Sequence, residues 1–559
     1  MKTRKLAVAL GLFILSAAPA AAQRAMVAAA NPIATEAGLK VLREGGSAVD
    51  AAVAIQATLG LVEPQSSGLG GGAFMVYYDA KTKRATAYDG REFAPAGASP
   101  DMFLGADGKP LPFFQAVLSG RSAGVPGAVA MLHLAQKEHG RLAWRDLFGD
   151  SARLADEGFV VSPRLAGYIV GNAPQAGTPD VTAYFTKPDG KKYVAGDVLK
   201  NPAYAASLRR IAVEGPAALL TGPIAADIVA RLGKGPIPGT MTLADLAAYK
   251  PIEEPALCRP FQHWTVCEPP APSGGPVTLE ALGLLERTDI AAHGPTDAEG
   301  WYLLSQAERL AYADDLQYVA DPAFVKVPTA GLLDPAYLTA RAKLIGETAG
   351  PAPAPGHPAG APAHGPDATV EPGGTSSFTV VDRWGNVVSM TTTVESVFGD
   401  GRMVDGFLLN NQLTDFSFSP LQKDGAAAAN AVGPRKRPRS SMAPAIVLDR
   451  QGDFVAAVGS PGGLAIPSYV VKTLVGMFAW DLSVQDAIDL PNLVALGDFY
   501  ASEPDKLAPG VAAGLAAKGV AVKGGYAGEG SGLHGIIFRN GHLEGGADPR
   551  REGVAKGCC

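Results

Sequence analysis

A threonine that follows two glycines is the residue of this chain best placed for nucleophilic chemistry. Thr375 comes directly after Gly373-Gly374 and opens the strand pattern "TSSFTVVD". A threonine hydroxyl is a weak nucleophile unless a base stands beside it, and its own free α-amine can be that base. The amine is free only if the chain is cut before the threonine. We therefore hypothesise that the Thr375 hydroxyl attacks the Gly374 carbonyl, forms an ester, and leaves a new N-terminus when water hydrolyses that ester.

A second threonine is predicted to lie directly across from the first. The segments "SSFTVVD" and "NVVSMTT" flank the residues "RWG", which can form a three-residue hairpin loop with Gly385 at positive φ. The register of such a hairpin pairs Thr375 with Thr393. Thr–Thr pairs are also common on sheet surfaces, and a bulge would move the register by one residue. The pairing alone therefore assigns no function.

The organisation of the chain agrees with a cut before Thr375. Residues 349–366 are rich in Pro, Ala and Gly, a composition that builds no core and predicts a solvated linker. Two helices broken at Gly45-Gly46 begin the first half, two strand patterns follow them, and helical patterns dominate from about residue 115 to 345. Strand patterns dominate after the linker. This order predicts a layered α+β fold.

The N-terminus predicts export. Lys2, Arg4 and Lys5 precede an apolar run over residues 6–18, and "PAAAQ" follows. This is the order of a secretory signal peptide, with cleavage expected after Ala22. The alternative is a membrane anchor, but the apolar run is short for a span and the small residues favour cleavage. We expect a periplasmic or secreted protein that is not attached to a membrane after cleavage.

Composition and cysteine spacing limit the remaining classes. A net charge of -6 over 559 residues does not suggest a nucleic-acid partner. The eight histidines show no metal-ligand spacing, so no metal site is expected. Export permits disulfides. If Gln262-His263 forms a two-residue turn, Cys258 and Cys267 face each other as a non-hydrogen-bonded pair, and both a disulfide and two free thiols remain open.

An ordered set of motifs around Thr375 resembles the γ-glutamyltranspeptidase (glutathione hydrolase) family. The motifs are "EPQSSGLGGGAFM", "DGREFAP", "TSSFTVVDRWGNVVSMTTTVESVFG", "GFLLNNQLTDFSF", "GPRKRPRSSMAPAIV", "VGSPGG" and "GGADPR". The resemblance covers nearly the whole chain after residue 22. It implies an N-terminal-nucleophile hydrolase fold, which is a four-layer αββα sandwich. It also implies self-cleavage into a large subunit, residues 23–374, and a small subunit, residues 375–559, that stay together.

The resemblance implies a two-step reaction without a cofactor. Thr375 would attack γ-glutamyl amides, such as glutathione, and form a γ-glutamyl ester. Water would resolve that ester in hydrolysis, and an amino-acid or peptide amine would resolve it in transfer. Thr393 would hold the Thr375 hydroxyl in place. The backbone N–H groups of Gly462 and Gly463 would form the oxyanion hole, because glycine lets the backbone approach the developing charge.

The same resemblance implies a substrate site with a cationic end and an acidic end. A guanidinium suits a carboxylate because its donors form a permanently charged fork. Glu395 falls where many members of the family carry asparagine, and a second acid near the ammonium would disfavour substrates that lack this cation. The expected ligands are Arg91, Ser440 and Ser441 for the substrate's α-carboxylate, and Glu395, Gln412 and Asp415 for its α-ammonium.

One segment departs from the family pattern. Some members cover the site with a lid loop that carries a tyrosine, whereas residues 416–434 look shorter and contain none. A reduced lid would admit water more freely and would favour hydrolysis over transfer.

Two alternative functions use the same fold. One is a glutaryl-cephalosporin-type acylase, which would use Thr375 similarly but would have less use for two acids at the ammonium end. The other is a catalytically silent periplasmic binder of amino acids or peptides, against which the intact Thr375, Thr393 and Gly462-Gly463 argue.

Overall fold

The computed structural model of the chain describes residues 24–365, 367, 369, 371–421, 425–525 and 530–559. The predicted signal peptide therefore lies outside the described residues. The strands are β1 (Ala25–Ala29), β2 (Gly72–Asp79), β3 (Arg84–Asp89), β4 (Phe159–Val160), β5 (Val198–Leu199), β6 (Ile252–Pro255), β7 (Leu257–Phe261), β8 (Trp264–Glu268), β9 (Thr375–Val381), β10 (Val387–Thr393), β11 (Met403–Val404), β12 (Phe407–Leu408), β13 (Ala445–Leu448), β14 (Phe454–Gly459), β15 (Leu493–Leu496), β16 (Phe499–Ser502), β17 (Lys523–Gly524), β18 (His534–Arg539), β19 (His542–Ala547) and β20 (Val554–Cys558).

Helices fill most of the region between the first strands and the linker, as predicted. They are α1 (Pro32–Arg43), α2 (Ala48–Val62), α3 (Phe113–Val117), α4 (Ala128–His139), α5 (Gly149–Glu157), α6 (Pro163–Ile169), α7 (Pro179–Tyr184), α8 (Pro202–Glu214), α9 (Ala217–Leu220), α10 (Pro223–Leu232), α11 (Leu243–Ala247), α12 (Gly275–Leu285), α13 (Ala298–Tyr318), α14 (Thr329–Leu332), α15 (Pro335–Ala342), α16 (Ile466–Phe478), α17 (Val484–Asp489) and α18 (Val511–Ala517).

Two large sheets stack face to face between layers of helices. The first sheet has seven strands in the order β20-β1-β9-β10-β2-β3-β6, and the second has six in the order β19-β18-β14-β13-β8-β7. Alternate residues of each strand face opposite sides of its sheet. Val76 and Tyr78 of β2 therefore pack between the sheets with Ile446 and Leu448 of β13, while Met75 and Tyr77 pack against the helices. The predicted α+β, four-layer αββα architecture is confirmed.

The two central strands of the first sheet form the predicted hairpin. Strands β9 and β10 pair antiparallel, and the register places Thr375 opposite Thr393. The Asp382 carboxylate accepts hydrogen bonds from the backbone N–H groups of Trp384 and Asn386, and Gly385 has a φ of 83°. A left-handed residue at this place favours glycine. Strand β1 lies beside β9 and β2 lies beside β10, so the hairpin is held from both sides.

The structure differs from the sequence predictions in two places. Strand β1 was not predicted, because "AMVAA" is too short to show an alternating pattern. Residues 349–366 were expected to form a solvated linker, and most of those up to residue 365 are exposed or half-buried, but they are not detached from the rest of the protein. They form no helix or strand as far as residue 365, but the backbone of Gly356 accepts a hydrogen bond from Tyr318 and donates one to Asp314. The Pro/Ala-rich segment therefore lies along α13.

The cysteine hairpin has the predicted register. Cys258 of β7 lies opposite Cys267 of β8, with Gln262-His263 as the two-residue turn, and the two sulfur atoms form a disulfide. The disulfide joins β7, the edge strand of the second sheet, to its neighbour β8. Among the residues that the structure describes, no helix combines the length and the apolar character that crossing a membrane requires.

Candidate active site

The hairpin brings the two threonine hydroxyls together inside the protein. Thr375 begins β9, Thr393 ends β10, and their Oγ1 atoms lie 3.0 Å apart. Both side chains are buried. The predicted pairing of the two residues is confirmed, and the distance allows a hydrogen bond between the hydroxyls.

The Thr393 hydroxyl also contacts the peptide bond that precedes Thr375. It donates to the carbonyl oxygen of Gly374 at 2.9 Å and accepts from the backbone N–H of Glu395 at 2.8 Å. A Cβ atom on Gly374 would lie 2.2 Å from the carbonyl oxygen of Glu395, so only glycine fits there. Thr393 therefore connects the Thr375 hydroxyl with the carbonyl group that the hydroxyl would attack.

Residues distant in sequence hold the backbone around Thr375. Arg551, which follows β19, donates its Nη1 to the Thr375 carbonyl oxygen at 2.9 Å. Ser376 donates its hydroxyl to Glu63 at 3.0 Å, and Glu63 lies 3.2 Å from Arg164. Neither Arg551 nor Glu63 was singled out from the sequence. Their contacts fix the start of β9 from the two ends of the chain.

Two buried acids and an amide form one end of the site. One oxygen of Glu395 accepts hydrogen bonds from Asn411 and, at 2.5 Å, from Ser396. One oxygen of Asp415 accepts from Gln412 at 2.6 Å and from Arg91 at 2.7 Å. Glu395 has a φ of 80°. A non-glycine residue in this left-handed region is strained, and such strain is concentrated at functional sites.

One oxygen of each acid and the amide oxygen of Gln412 are left without an N–H donor among the described residues. Within the described part of the chain, no N–H group and no Ser, Thr or Tyr hydroxyl donates to Glu395 Oε1, Asp415 Oδ1 or Gln412 Oε1, and the carboxyl groups of Glu395 and Asp415 lie close enough for one of them, when protonated, to hydrogen-bond to the other. A buried acceptor without a donor is costly, because it has lost its hydrogen bonds to water. Three such oxygens line one cavity. They form a set of acceptors that a cation with several N–H donors would satisfy.

The two acids share an environment that disfavours charge. Burial, and then the nearby Asp415 carboxylate, raise the pKa of Glu395 well above its usual value. Burial raises the pKa of Asp415 to about 6, although the Arg91 guanidinium counteracts part of the effect. Two carboxylates this close do not both ionise easily unless a cation joins them. The electrostatics therefore agree with the unpaired oxygens: this end of the site favours a positively charged group.

The opposite end of the site holds a carboxylate from the chain itself. Ser441 donates its backbone N–H at 3.1 Å and its hydroxyl at 2.5 Å to one oxygen of Glu371. Arg439 donates its Nε at 3.3 Å and its Nη2 at 3.2 Å to the other oxygen. We call these donors of Ser441 and Arg439 the carboxylate cradle. Neither Arg439 nor Glu371 was predicted, although Arg439 stands beside Ser440 in the motif "RPRSSMAP".

The other two residues expected to bind a carboxylate have partners of their own. Arg91 donates its Nε to the carbonyl oxygen of Pro438, and its Nη2 to the carbonyl oxygen of Arg439 as well as to Asp415. Ser440 accepts at its hydroxyl from the backbone N–H of Met442 at 3.2 Å. Both residues line the cavity. In the uncut chain Arg91 neutralises an acid at the ammonium end.

The predicted oxyanion loop lies between β14 and α16. Gly462 has a φ of 141° and Gly463 a φ of 58°, conformations that favour glycine. A Cβ atom on Gly463 would lie 2.3 Å from the carbonyl oxygen of Glu371, which also accepts a hydrogen bond from the N–H of Leu464 at 3.1 Å. The chain just before the threonine therefore lies directly on this loop.

A single small cavity brings nearly all the predicted residues together. Its volume is about 20 Å³, room for one water molecule. Wider clefts exist, such as one of about 610 Å³ beside Trp384, but that cleft contains none of the predicted groups. Gly462 does not line the small cavity and packs against the ring of Tyr469 instead. The predicted residues that line it are Arg91, Thr375, Thr393, Glu395, Gln412, Asp415, Ser440, Ser441 and Gly463.

The segment predicted to be a reduced lid packs against the protein where it is described. Phe418 stacks on Phe103, with ring centroids 4.6 Å apart. The Asn430 side chain donates to the carbonyl oxygen of Asp415 at 2.7 Å. Residues 422–424 lie outside the described part. Across the described residues, no cluster of three or more His, Cys, Asp or Glu side chains is arranged to hold a metal ion.

Comparison with known proteins identifies relatives of this chain. A family profile described as "Gamma-glutamyltranspeptidase" matches residues 34–558. The "Glutathione hydrolase proenzyme" of Bacillus subtilis (strain 168) is 39% identical over 484 residues, which cover 84% of this chain and 80% of the relative.

Two solved structures show different relationships. The cephalosporin acylase from Bacillus halodurans superposes with a TM-score of 0.84 at 26% identity, covering 98% of this chain and 99% of that one. The Helicobacter pylori γ-glutamyltranspeptidase superposes with a TM-score of 0.53 at 29% identity, covering 62% of this chain and 93% of that one. The comparisons thus include both activities that the sequence left in competition.

Proposed function

Because the chain belongs to the γ-glutamyltranspeptidase family, we propose that Thr375 first splits the chain before itself and then carries the γ-glutamyl group of its substrates. The substrates are glutathione and related γ-glutamyl amides, and the products are those of hydrolysis by water or of transfer to an amino-acid or peptide amine. No metal or organic cofactor is needed for these steps, because the attacking group, its base and the oxyanion donors all come from the chain.

The observation that carries this proposal is the set of three unpaired acceptor oxygens beside the threonine pair. An α-ammonium has three N–H donors, which match the free oxygens of Glu395, Gln412 and Asp415. Its charge would also allow both buried acids to ionise. A glutaryl group lacks the ammonium and would leave those oxygens unpaired. The ammonium end of the site therefore favours a γ-glutamyl substrate over a glutaryl one.

The geometry around Thr393 supports a proton relay for self-cleavage. As Thr375 Oγ1 bonds to the Gly374 carbonyl carbon, its proton passes to Thr393 Oγ1, and the Thr393 proton passes to the Gly374 oxygen. Collapse of this tetrahedral species breaks the C–N bond to Thr375, and the amine leaves with the returned proton. Water then hydrolyses the ester, giving the Gly374 carboxylate and the free threonine.

The freed amine provides the base for substrate turnover. It accepts the proton of Thr375 Oγ1 as that oxygen attacks the γ-carbonyl carbon, and it delivers the proton to the departing amine. The backbone N–H groups of the loop at Gly462 and Gly463 face the developing oxyanion once the segment on that loop has moved away. At the carboxylate end, Ser440 and Ser441 bind the substrate's α-carboxylate, and Arg91, which pairs with Asp415 in the uncut chain, contributes to the same carboxylate from the boundary between the two ends. We add Arg439 to this group, because it already holds a carboxylate in the uncut chain.

The two halves of the cut chain remain one folded unit in this proposal. Residues 23–374 supply β1, β2 and β3, and residues 375–559 supply β9, β10 and β20 of the same sheet. Strand β9 lies between β1 and β10, so separating the subunits would require breaking the sheet. The signal-like N-terminus supports a periplasmic or secreted location for this two-chain enzyme.

A second candidate is a glutaryl-cephalosporin-type acylase. It is favoured by the superposition with the cephalosporin acylase over almost the entire chain. Fold likeness does not decide substrate, because substrate choice depends on the side chains of the site. The acidic end of the cavity is the feature that separates the two candidates.

The deciding experiment compares two anilides that differ only in the α-amine. The cut enzyme is given γ-glutamyl-p-nitroanilide and glutaryl-p-nitroanilide, each with and without a dipeptide acceptor, and release of nitroaniline is followed. We expect kcat/KM for the γ-glutamyl compound to exceed that for the glutaryl compound by about 100-fold or more, the cost of leaving buried polar groups unpaired. A preference for the glutaryl compound would establish the acylase instead.

A further inference from the structure

The segment just before the cut carries a carboxylate that occupies the carboxylate cradle. Glu371 lies four positions before Thr375, and the residue is only 6% exposed. It accepts four hydrogen bonds, two from Ser441 and two from Arg439. We propose that Glu371 is a positioning residue for self-cleavage: its carboxylate takes, in the uncut chain, the place that the substrate's α-carboxylate takes in the cut enzyme. This inference rests on the function proposed above for that site.

The chemistry of the contacts supports the substitution of one carboxylate for the other. A backbone N–H, a hydroxyl and a guanidinium converge on the two oxygens of Glu371, the kinds of donor that bind carboxylates in general. Arg439 also lies 3.5 Å from Asp367 and 3.7 Å from Asp315. These two acids keep the guanidinium paired when Glu371 is absent. The cradle thus does not depend on Glu371 for its own charge balance.

The position of Glu371 explains how it would act on a bond four residues away. Gly373-Gly374 has more backbone freedom than any other dipeptide, so the chain has to be held on both sides of the Gly374 carbonyl to fix the position of that carbonyl. On one side Thr393 and the β9 pairing hold it. On the other side Glu371 is anchored by its carboxylate and by its carbonyl oxygen, which accepts from Leu464. Restricting a reacting group in this way raises the rate of an intramolecular attack.

The same contacts make cleavage and substrate binding mutually exclusive. With Glu371 in the cradle, the cavity holds about 20 Å³, too little for a γ-glutamyl group. The backbone of Glu371 also covers Gly463 of the oxyanion loop. Both the cradle and the loop become available only when the segment leaves after the bond breaks. Glu371 therefore serves the first reaction of the site and must depart before the second.

The test measures how fast the chain splits. Freshly synthesised Glu371→Ala, Glu371→Gln and wild-type chains are incubated, and the appearance of two bands is followed on a denaturing gel. The matched control is Glu347→Gln, an exposed acid in the same part of the chain. We expect splitting of Glu371→Ala to slow by about 10- to 100-fold, the effect of losing hydrogen bonds to charged partners. Glu371→Gln should fall between, and the control should match the wild type.

A second readout separates positioning from a general loss of structure. Glu371→Asp keeps a carboxylate attached to the backbone that it anchors, so it should split faster than Glu371→Ala and Glu371→Gln, whereas free acetate, which cannot anchor the backbone, should leave Glu371→Ala slow. Thermal unfolding of each variant is measured alongside. Wild-type splitting rates in folded Glu371→Ala and Glu371→Gln would overturn the inference, as would splitting of folded Glu371→Asp that is no faster than that of Glu371→Gln. If the cut wild-type enzyme does not hydrolyse γ-glutamyl anilides, the proposed function is refuted. The splitting rates would still show whether Glu371 positions the chain for self-cleavage.

Discussion

The two ends of the substrate cavity suit groups of opposite charge, and they are in different states in the uncut chain. At the carboxylate end, every oxygen of Glu371 has donors from Ser441 or Arg439. At the ammonium end, one oxygen each of Glu395 and Asp415 has no donor among the described residues. The donors of the carboxylate end are paired with a carboxylate of the chain itself, whereas the acceptors of the ammonium end are left for a cation of the substrate.

This difference separates two properties of the enzyme. The satisfied end can hold the precursor in the geometry for self-cleavage, and its occupation delays substrate binding. Among the described residues, the side chains of the unsatisfied end make no hydrogen bond to the segment just before Thr375, so they are free to set which substrate is accepted. Maturation and specificity are thus expected to respond to different residues of one small site.

Removing the nucleophile should have the largest effect and should preserve the contrast between the ends. Thr375→Ala cannot form the ester, so we expect one uncut chain on a denaturing gel and no release of nitroaniline. Because Glu371 stays in the cradle, calorimetry should detect no L-glutamate binding to this variant, although it detects binding to the cut wild-type enzyme. Thr375→Ser keeps a hydroxyl and should still split.

Either of two results would contradict this prediction. Splitting of Thr375→Ala at the same bond would exclude the hydroxyl mechanism. Binding of L-glutamate to the uncut variant as tightly as to the cut enzyme would show that the carboxylate end is open, and the two ends would then not differ.

Altering the ammonium end should affect specificity without affecting maturation. Glu395→Gln keeps the size of the side chain but removes its charge, so kcat/KM for γ-glutamyl-p-nitroanilide should fall by about 10- to 100-fold. The glutaryl compound, which lacks the ammonium, should be affected less than about threefold. Splitting should proceed at the wild-type rate. Glu395 suits this test better than Asp415, whose replacement would also leave the buried Arg91 without its partner.

The control is Glu371→Gln, the equivalent change at the other end. It should slow splitting, as described above, in contrast to Glu395→Gln. If Glu395→Gln slowed splitting as much as Glu371→Gln does, the two ends would not be separable in function.

The sequence predicted the hairpin more fully than the contents of the site. A three-residue loop with Gly385 fixes the register of β9 and β10, so local geometry alone paired Thr375 with Thr393. The four-layer fold and the other seven predicted residues of the cavity followed from the family resemblance rather than from any local rule. The roles of those residues in binding and catalysis remain predictions.

The parts that sequence reasoning missed depend on contacts between distant segments. Nothing in the composition of residues 349–374 indicates that Glu371 meets Arg439 and Ser441, because this contact exists only after the two segments have packed together. Strand β1 gives a weak pattern by itself and is stabilised by pairing with β9 and β20. Such nonlocal contacts override local propensity.

A change of pH should have the smallest effect on substrate binding, and this effect should come from the ammonium end of the site alone. Burial raises the pKa of Asp415 to about 6, so this acid takes up a proton as the pH falls through about 6, and burial also raises the pKa of Glu395 well above its usual value. An α-ammonium binds their ionised forms. KM for γ-glutamyl-p-nitroanilide should therefore be lowest above that pH and rise by up to about tenfold per pH unit below it. KM for the glutaryl compound, measured over the same range, should show no such rise.

The stability of the folded chain should depend on pH in the opposite direction from substrate binding. An acid whose pKa is raised by folding favours the folded state most below its ordinary pKa, and this contribution to the free energy of unfolding is lost as the pH rises through about 6. In the uncut Thr375→Ala chain, the two buried acids should therefore lower the unfolding temperature at high pH. Adding Glu395→Gln to that chain should make this decrease smaller. A KM that rises equally for both anilides would place the titrating group elsewhere, since only a group that contacts the ammonium can distinguish the two compounds.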